Sequence, residues 1–223
     1  RSDNLKNFGK GFIFKNNINT NKKNISKKIS SKINNINGNF FLSFWNNYTI
    51  SFSQSLYYIF FKYFKSNSYE ENFQNVIFPF IGKEFYFKSF GKKGFIETQI
   101  IVPVKKLDLF VDEIQFLYKR YKPSITLYSL KNFKGKKKFL RFEDDGICFT
   151  FDFVNNSNSI KFIDELDKVC ENHSLTPSII KDSRLKLDTI KKCYEEYEIF
   201  KKDIYEYDKK RIYKSAISDK LLI

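Results

Sequence analysis

Apolar and polar positions fall into two alternating periods from residue 95 onward, and the switches between them predict a succession of elements. Residues 95–103 alternate at a period of two, as a half-buried strand does. Residues 107–121 set Leu107, Phe110, Val111, Ile114, Leu117, Tyr118 and Tyr121 on one side of a 3.6-residue turn, and Pro123 stops the run, which predicts an amphipathic helix. Strands follow at 124–133 and 147–154, separated by a lysine-rich loop. A second helix over 159–171 turns Ile160, Ile163, Leu166, Val169 and Cys170 inward, and a last strand occupies 176–180. The order β-α-β-β-α-β predicts an α+β fold with a ferredoxin-like (split βαβ) core, an antiparallel sheet carrying both helices on one face. Residues 186–207 repeat Leu187, Ile190, Tyr194, Tyr197 and Ile204 at helical spacing, which predicts one amphipathic helix or two short ones.

Alternation also sorts the strand residues between the two faces of the sheet. Ile147, Phe149, Phe151 and Phe153 belong under the helices, which leaves Cys148, Thr150 and Asp152 on the opposite side. Glu97 and Gln99 share a face of the first strand, and Ser129 and Lys131 share one of the second. If these polar sets coincide, one open face holds Glu97, Gln99, Lys131, Thr150 and Asp152. A polar sheet face is commonly just solvated. Carboxylates, an amide, a hydroxyl and lysines on one surface are also what a pocket for a polyhydroxylated ligand requires.

Ahead of residue 95 the pattern is less regular. Gly9-Lys10-Gly11 followed by Phe12-Ile13-Phe14 reads as a turn entering a strand, and no Ser or Thr follows the lysine as a phosphate-binding Walker loop would need. Residues 16–39 form a low-complexity Asn/Lys/Ser/Ile tract, a loop or a poorly packed helix. Residues 40–64 are dense in aromatics around Trp45, Phe52, Tyr57, Tyr58, Phe60 and Phe61. They are too short and too interrupted by polar residues to cross a bilayer and predict a buried helix or strand pair, with an exposed aromatic patch as the second choice. Residues 66–94, with Pro79, Gly82, Gly91 and Gly94, predict a long ordered loop with one or two strands.

Composition adds limits. The 27 Phe and 14 Tyr in 223 residues supply a core and rule out wholesale disorder. A net charge of +15 points toward anionic partners, but the lysines travel with Asn, Ile, Phe and Tyr in the mixture that AT-rich coding also produces. The one dense basic run, 134–138, predicts a solvated hairpin loop. Cys148, Cys170 and Cys193 have no disulfide or zinc spacing and His173 is the only histidine, so no metal is expected and a reducing, cytoplasmic setting is the default. No secretory signal is visible, and peripheral membrane contact stays open. Methionine is absent even at position 1, so the chain is expected to have lost an N-terminal portion.

The stretch 176–184 joins these threads. An apolar run ends in Lys181-Asp182-Ser183-Arg184, placing a lysine, an acid, a hydroxyl and an arginine at the rim of the sheet. Taken alone, an ion-paired loop in which Asp182 holds Lys181 or Arg184 is the simpler outcome.

The succession Gly94-Phe95-Ile96-Glu97-Thr98-Gln99-Ile100-Ile101-Val102-Pro103, then Phe151-Asp152-Phe153, Lys181-Asp182-Ser183-Arg184, and Asp208 through Arg211-Ile212-Tyr213 with a terminal Leu-Leu resembles the C-terminal portion of FAD-linked sugar oxidoreductases. The type most resembled is the decaprenylphosphoryl-ribose oxidase, the oxidising half of a ribose-to-arabinose epimerase pair, with aldonolactone oxidases as wider relatives. The resemblance implies the cap domain of a vanillyl-alcohol-oxidase-type flavoprotein, a cofactor FAD, and an FAD-binding domain upstream. It further implies Lys181 as a catalytic residue beside the flavin, Arg184 as a second cofactor contact, and Gln99 and Lys131 as substrate contacts joined by Glu97, Thr150 and Asp152 on the same face.

Departures from the family pattern fall at Glu97 for a glutamine, Ile77 for a tyrosine, Thr150 for a cysteine, Ala216 for an acid and Glu195 for a proline. The implied partners are a sugar or glycolipid substrate, the upstream domain and a reductase; nucleic acid is not expected. Three parts follow: 1–94 as the start of the substrate domain, 95–181 as its ferredoxin-like core, and 182–223 as a C-terminal helical segment. The alternative is a basic ferredoxin-like RNA-binding module, which needs exposed aromatics on the open sheet face.

Overall fold

The structure, a computed structural model, describes residues 6, 8–15, 17, 42–64, 84–182 and 184–223. The low-complexity tract, apart from Asn17, and the stretch that includes Ile77, Pro79 and Gly82 lie outside the described residues, as does Ser183.

Among the described residues two helices come first, α1 (Asn47–Tyr63) and α2 (Glu84–Lys88). The central unit follows: β1 (Phe95–Val102), a 3-10 turn, α3 (Leu107–Tyr121), β2 (Ile125–Phe133), β3 (Gly146–Val154), α4 (Ser157–Asn172) and β4 (Thr176–Pro177). Three short helices close the chain, α5 (Leu187–Cys193), α6 (Tyr197–Tyr207) and α7 (Ala216–Leu221). The protein is therefore mixed α and β, with one open antiparallel sheet of four strands in the order β2-β3-β1-β4.

β3 carries the core because it lies inside the sheet and is apolar at every second position. Phe149, Phe151 and Phe153 point to the helices with ring centroids 6.3 and 5.8 Å apart, and all three are buried. Phe110, Ile114 and Leu117 of α3 and Phe162, Ile163 and Leu166 of α4 close over them. Each such phenylalanine contributes roughly 2 kcal/mol of burial. Of the five residues predicted inward on α4, Ile163, Leu166, Val169 and Cys170 are buried, joined by Phe162, while Ile160 lies at the exposed edge. The helix enters from Asn156, whose side chain accepts the Ser159 N–H at 2.9 Å and caps the first turn. Gly146 starts β3 because a Cβ there would lie 2.2 Å from the Val102 carbonyl oxygen.

Three expectations need correction. The last strand ends at Pro177, not at 180. Ser178 N–H still reaches Gln99 O at 2.8 Å, but the Ser178 hydroxyl then accepts the Lys181 N–H and the chain turns, burying Ile179 and exposing Ile180. The lysine-rich loop is partly packed: Lys137 Nζ meets Leu175 O at 3.4 Å and lies over the Tyr194 ring, and burial lowers its pKa. Finally, α1 is a helix but not a buried one. Its side toward the sheet mixes Ile50, the one buried residue of the helix, with Asn47 accepting from Ser124 Oγ at 2.7 Å and Gln54 donating to Ile125 O at 3.3 Å, while Phe52, Tyr57 and Phe60 are exposed.

Among the described residues no helix is long and apolar enough to cross a membrane, and all three cysteines are free and buried.

Candidate functional site

Strand register builds the polar face. β1 and β3 set Glu97 opposite Asp152 and Gln99 opposite Thr150; β2 and β3 set Ser129 opposite Thr150 and Lys131 opposite Cys148. Alternation sends the intervening phenylalanines the other way, so Glu97, Gln99, Lys131, Thr150 and Asp152 share the face away from α3 and α4. Gln99 Nε2 donates to Glu97 Oε1 at 2.8 Å, which leaves Glu97 Oε2 to meet Lys181 Nζ at 3.4 Å. Lys181 arrives from the turn after β4, half-exposed, with a long and weak ion pair as its contact. Lys131 is exposed farther along the face, toward the end of β2.

Asp152 is the unusual member. It is 4% exposed, and its Oδ2 accepts the Tyr86 hydroxyl at 2.8 Å. Burial pushes its carboxyl up to about 6; the Tyr86 hydrogen bond opposes this, the neighbouring Glu97 charge adds to it, and Lys181 offsets a little. Tyr86 also lies 2.8 Å from Thr126 Oγ1, and burial raises its phenol well above the ordinary range. Two residues back along β3, Thr150 is buried with its hydroxyl oxygen unpartnered among the described residues. Burial likewise raises the Cys148 thiol, which makes it a poor nucleophile.

Tyr86 was not legible as a site residue, because a five-residue helix has no periodicity and its carboxylate partner is 66 positions away. It belongs to an aromatic cluster that roofs one end of the face. Trp45 packs on Tyr86 with centroids 5.7 Å apart and donates its indole N–H to Tyr86 O at 3.2 Å, while Phe90 contacts both Tyr86 and Phe95. A bridge between Ser43 and Phe90 ties the two segments together; Gly91, at φ +71°, lets the backbone pass the Ser43 side chain.

Arg184 goes elsewhere. Its guanidinium is gripped by Asp164 at 3.0 Å, by both oxygens of Asp167 at 2.8 and 3.1 Å, and by Asp182 at 2.8 Å. That cluster lies against α4, so the ion-paired loop describes Arg184, which the resemblance implied as a cofactor contact. Three carboxylates engage both terminal nitrogens of the fork and hold its pKa up against burial, while Nε is buried with no partner among the described residues. For the flavin that the resemblance implies, the donor set therefore fits at Lys181, a weakly paired cation on the polar face, and fails at Arg184. Among the described residues no group of His, Cys, Asp or Glu is arranged to hold a metal ion.

What the face offers chemically is two carboxylates to accept hydroxyl hydrogens, an amide and a hydroxyl that can serve either way, and two cations, Lys181 beside Glu97 and Lys131 farther along. The chain matches no protein-family model, and no curated protein matches it either.

Proposed function

We propose that this chain is the substrate-binding portion of an FAD-dependent oxidoreductase that oxidises a secondary hydroxyl of a sugar, sugar lactone or glycolipid, on a ferredoxin-like core serving as a cap domain. The observation that carries the reading is Asp152: a buried carboxylate beside Glu97 and Lys181, with one oxygen accepting from Tyr86. A carboxyl that keeps its proton up to about pH 6 is matched to accepting a hydroxyl proton near neutrality. Bound FAD would take the hydride from the carbon that bears that hydroxyl.

This chain's residues do the rest. Gln99 and Glu97, already hydrogen-bonded to each other, present a donor and an acceptor to adjacent hydroxyls of a ligand. Thr150 supplies a hydroxyl with no competing partner among the described residues. Lys181 brings positive charge to the rim, where it stabilises negative charge as it develops. Sequence resemblance at Glu97–Gln99, Phe151-Asp152-Phe153 and Lys181-Asp182 supports the flavin part. For RNA the face would need exposed rings, and the aromatics nearest it, Phe95, Tyr86 and Trp45, lie against one another or against Phe90.

The test is the visible absorbance of the protein expressed with its full coding sequence and reconstituted with FAD, before and after anaerobic addition of a panel of sugars and lactones. Bleaching by one class supports the reading, and Lys181→Ala should then slow bleaching by at least about tenfold with the fold intact. A protein that takes up no FAD overturns it.

A further inference from the structure

Helix α1 turns an apolar side to water. Its sheet-facing side carries Asn47 and Gln54, which bond to Ser124 and Ile125, beside the buried Ile50, while Tyr48, Phe52, Leu56, Ile59, Phe60 and Tyr63 are between 47% and 88% exposed. Positions 48, 52, 56 and 60 form one i, i+4 ridge, and 59 and 63 lie beside it, so the exposed side chains make a continuous apolar stripe rather than scattered contacts. A monomeric protein seldom leaves such a stripe to water.

Charge says what covers it. Residues 4–69 contain ten lysines and no aspartate, glutamate or arginine, although the whole chain carries 25 acids. The basic excess is therefore segregated into the region that holds α1, which uniform compositional bias does not produce. Among the described residues of that region, Lys10 and Lys15 are exposed on either side of Phe12 and Phe14, whose rings contact Phe61 on α1, and Lys62 is exposed on the helix itself. An apolar, aromatic-rich helical stripe in a region whose charged residues are all lysines is the pattern of a helix lying in the interface of an anionic bilayer, its rings at the level of the headgroups and lysines on phosphate and carboxylate groups. Single-stranded nucleic acid is a poorer fit, because stacking wants rings along a groove and this stripe is convex and includes Leu56 and Ile59.

We infer that α1 is a membrane-surface attachment site and that its partner is an anionic lipid leaflet. The inference is independent of the oxidoreductase reading, since it uses none of the residues on the polar sheet face.

Sedimentation with vesicles tests it. The full chain should pellet with phosphatidylcholine vesicles containing about a third phosphatidylserine at least about tenfold more tightly than with phosphatidylcholine alone. Phe52→Ser combined with Phe60→Ser, both at exposed positions, should abolish binding without changing the melting temperature. Lys10→Glu with Lys15→Glu should remove most of the phosphatidylserine dependence. Binding that survives the serine pair would be bulk attraction to a +15 protein and overturns the inference. So does a failure to bind vesicles, whether the wild-type chain is a dimer that the serine pair converts to monomer, binds poly(U) through the same residues, or does neither.

Discussion

Ionised Asp152 should weaken the fold, and Asp152→Asn should strengthen it at neutral pH. The carboxyl is buried and titrates at about 6, some two units above an ordinary aspartate. A folded-state pKa raised above the unfolded value means that the folded protein holds the proton more tightly. Stability attached to this group therefore grows as pH falls from about 6 to about 4 and is absent above 6. Two units at ~1.4 kcal/mol each set an upper bound of about 3 kcal/mol on the cost of ionised Asp152 at pH 7.5. Asparagine resembles the neutral carboxyl: its carbonyl can still accept from Tyr86, and its amide can face Glu97. The variant should gain about 1–3 kcal/mol at pH 7.5, and the gain should shrink to about 1 kcal/mol or less at pH 4.5, where the wild type is protonated. Urea unfolding of both proteins at several pH values and constant ionic strength measures the difference, and the response common to all other charges cancels. A variant no more stable than wild type at pH 7.5, or a gap that does not change with pH, would refute the reasoning.

Three further substitutions have separable outcomes. Tyr86→Phe removes the donor to Asp152 and should cost about 1–3 kcal/mol at pH 7.5 but less at pH 5, where only a neutral hydrogen bond is lost; the emission of Trp45, the sole tryptophan, reports it directly. Arg184→Met leaves Asp164, Asp167 and Asp182 facing one another without a cation and should cost at least about 3 kcal/mol in urea unfolding, with no effect on ligand contacts at the polar face. Gly146→Ala drives a methyl into the Val102 carbonyl and should lower stability by about 1–3 kcal/mol, seen as an earlier thermal transition.

Periodicity carried the core from sequence to structure. Helix α3 occupies the predicted span, and β1, β2 and β3 lie within a residue or two of theirs; β3 alternates Phe149, Phe151 and Phe153 with Thr150 and Asp152, and β1 alternates Ile96, Ile100 and Val102 with Glu97 and Gln99. The pairing of Glu97 with Asp152 and of Gln99 with Thr150 was accessible for the same reason: once two antiparallel strands have fixed apolar faces, register has little freedom. What escaped the pattern was decided by single contacts. Ile179 and Ile180 look like strand, but a serine hydroxyl bonding to Lys181 N–H bends the backbone after Pro177. The orientation of α1 could not be read from hydrophobicity, since the side that meets the chain around Ser124 and Ile125 carries Asn47 and Gln54 beside Ile50. Tyr86 lay in a segment too short to show a period.

The run Lys181-Asp182-Ser183-Arg184 shows how one polar tetrad can serve structure and chemistry together. Asp182, 1% exposed, is affordable only because Arg184 neutralises it, and Arg184 in turn is held by α4 through Asp164 and Asp167. That cluster pins the turn and so fixes where Lys181 emerges, on the opposite side, over Glu97. A lysine positioned by a rigid turn but itself weakly paired retains its charge for another anion, whereas a lysine inside a tight pair would not. The same contrast separates Asp152 from Asp167. Burial raises both carboxyls, yet Asp167 faces a guanidinium that opposes the rise, while Asp152 faces a phenol, a second carboxylate and a distant ammonium. A fold selected only for stability has no use for the second arrangement, and its place beside Thr150 and Lys181 on one sheet face is the physical reason to look for a ligand there.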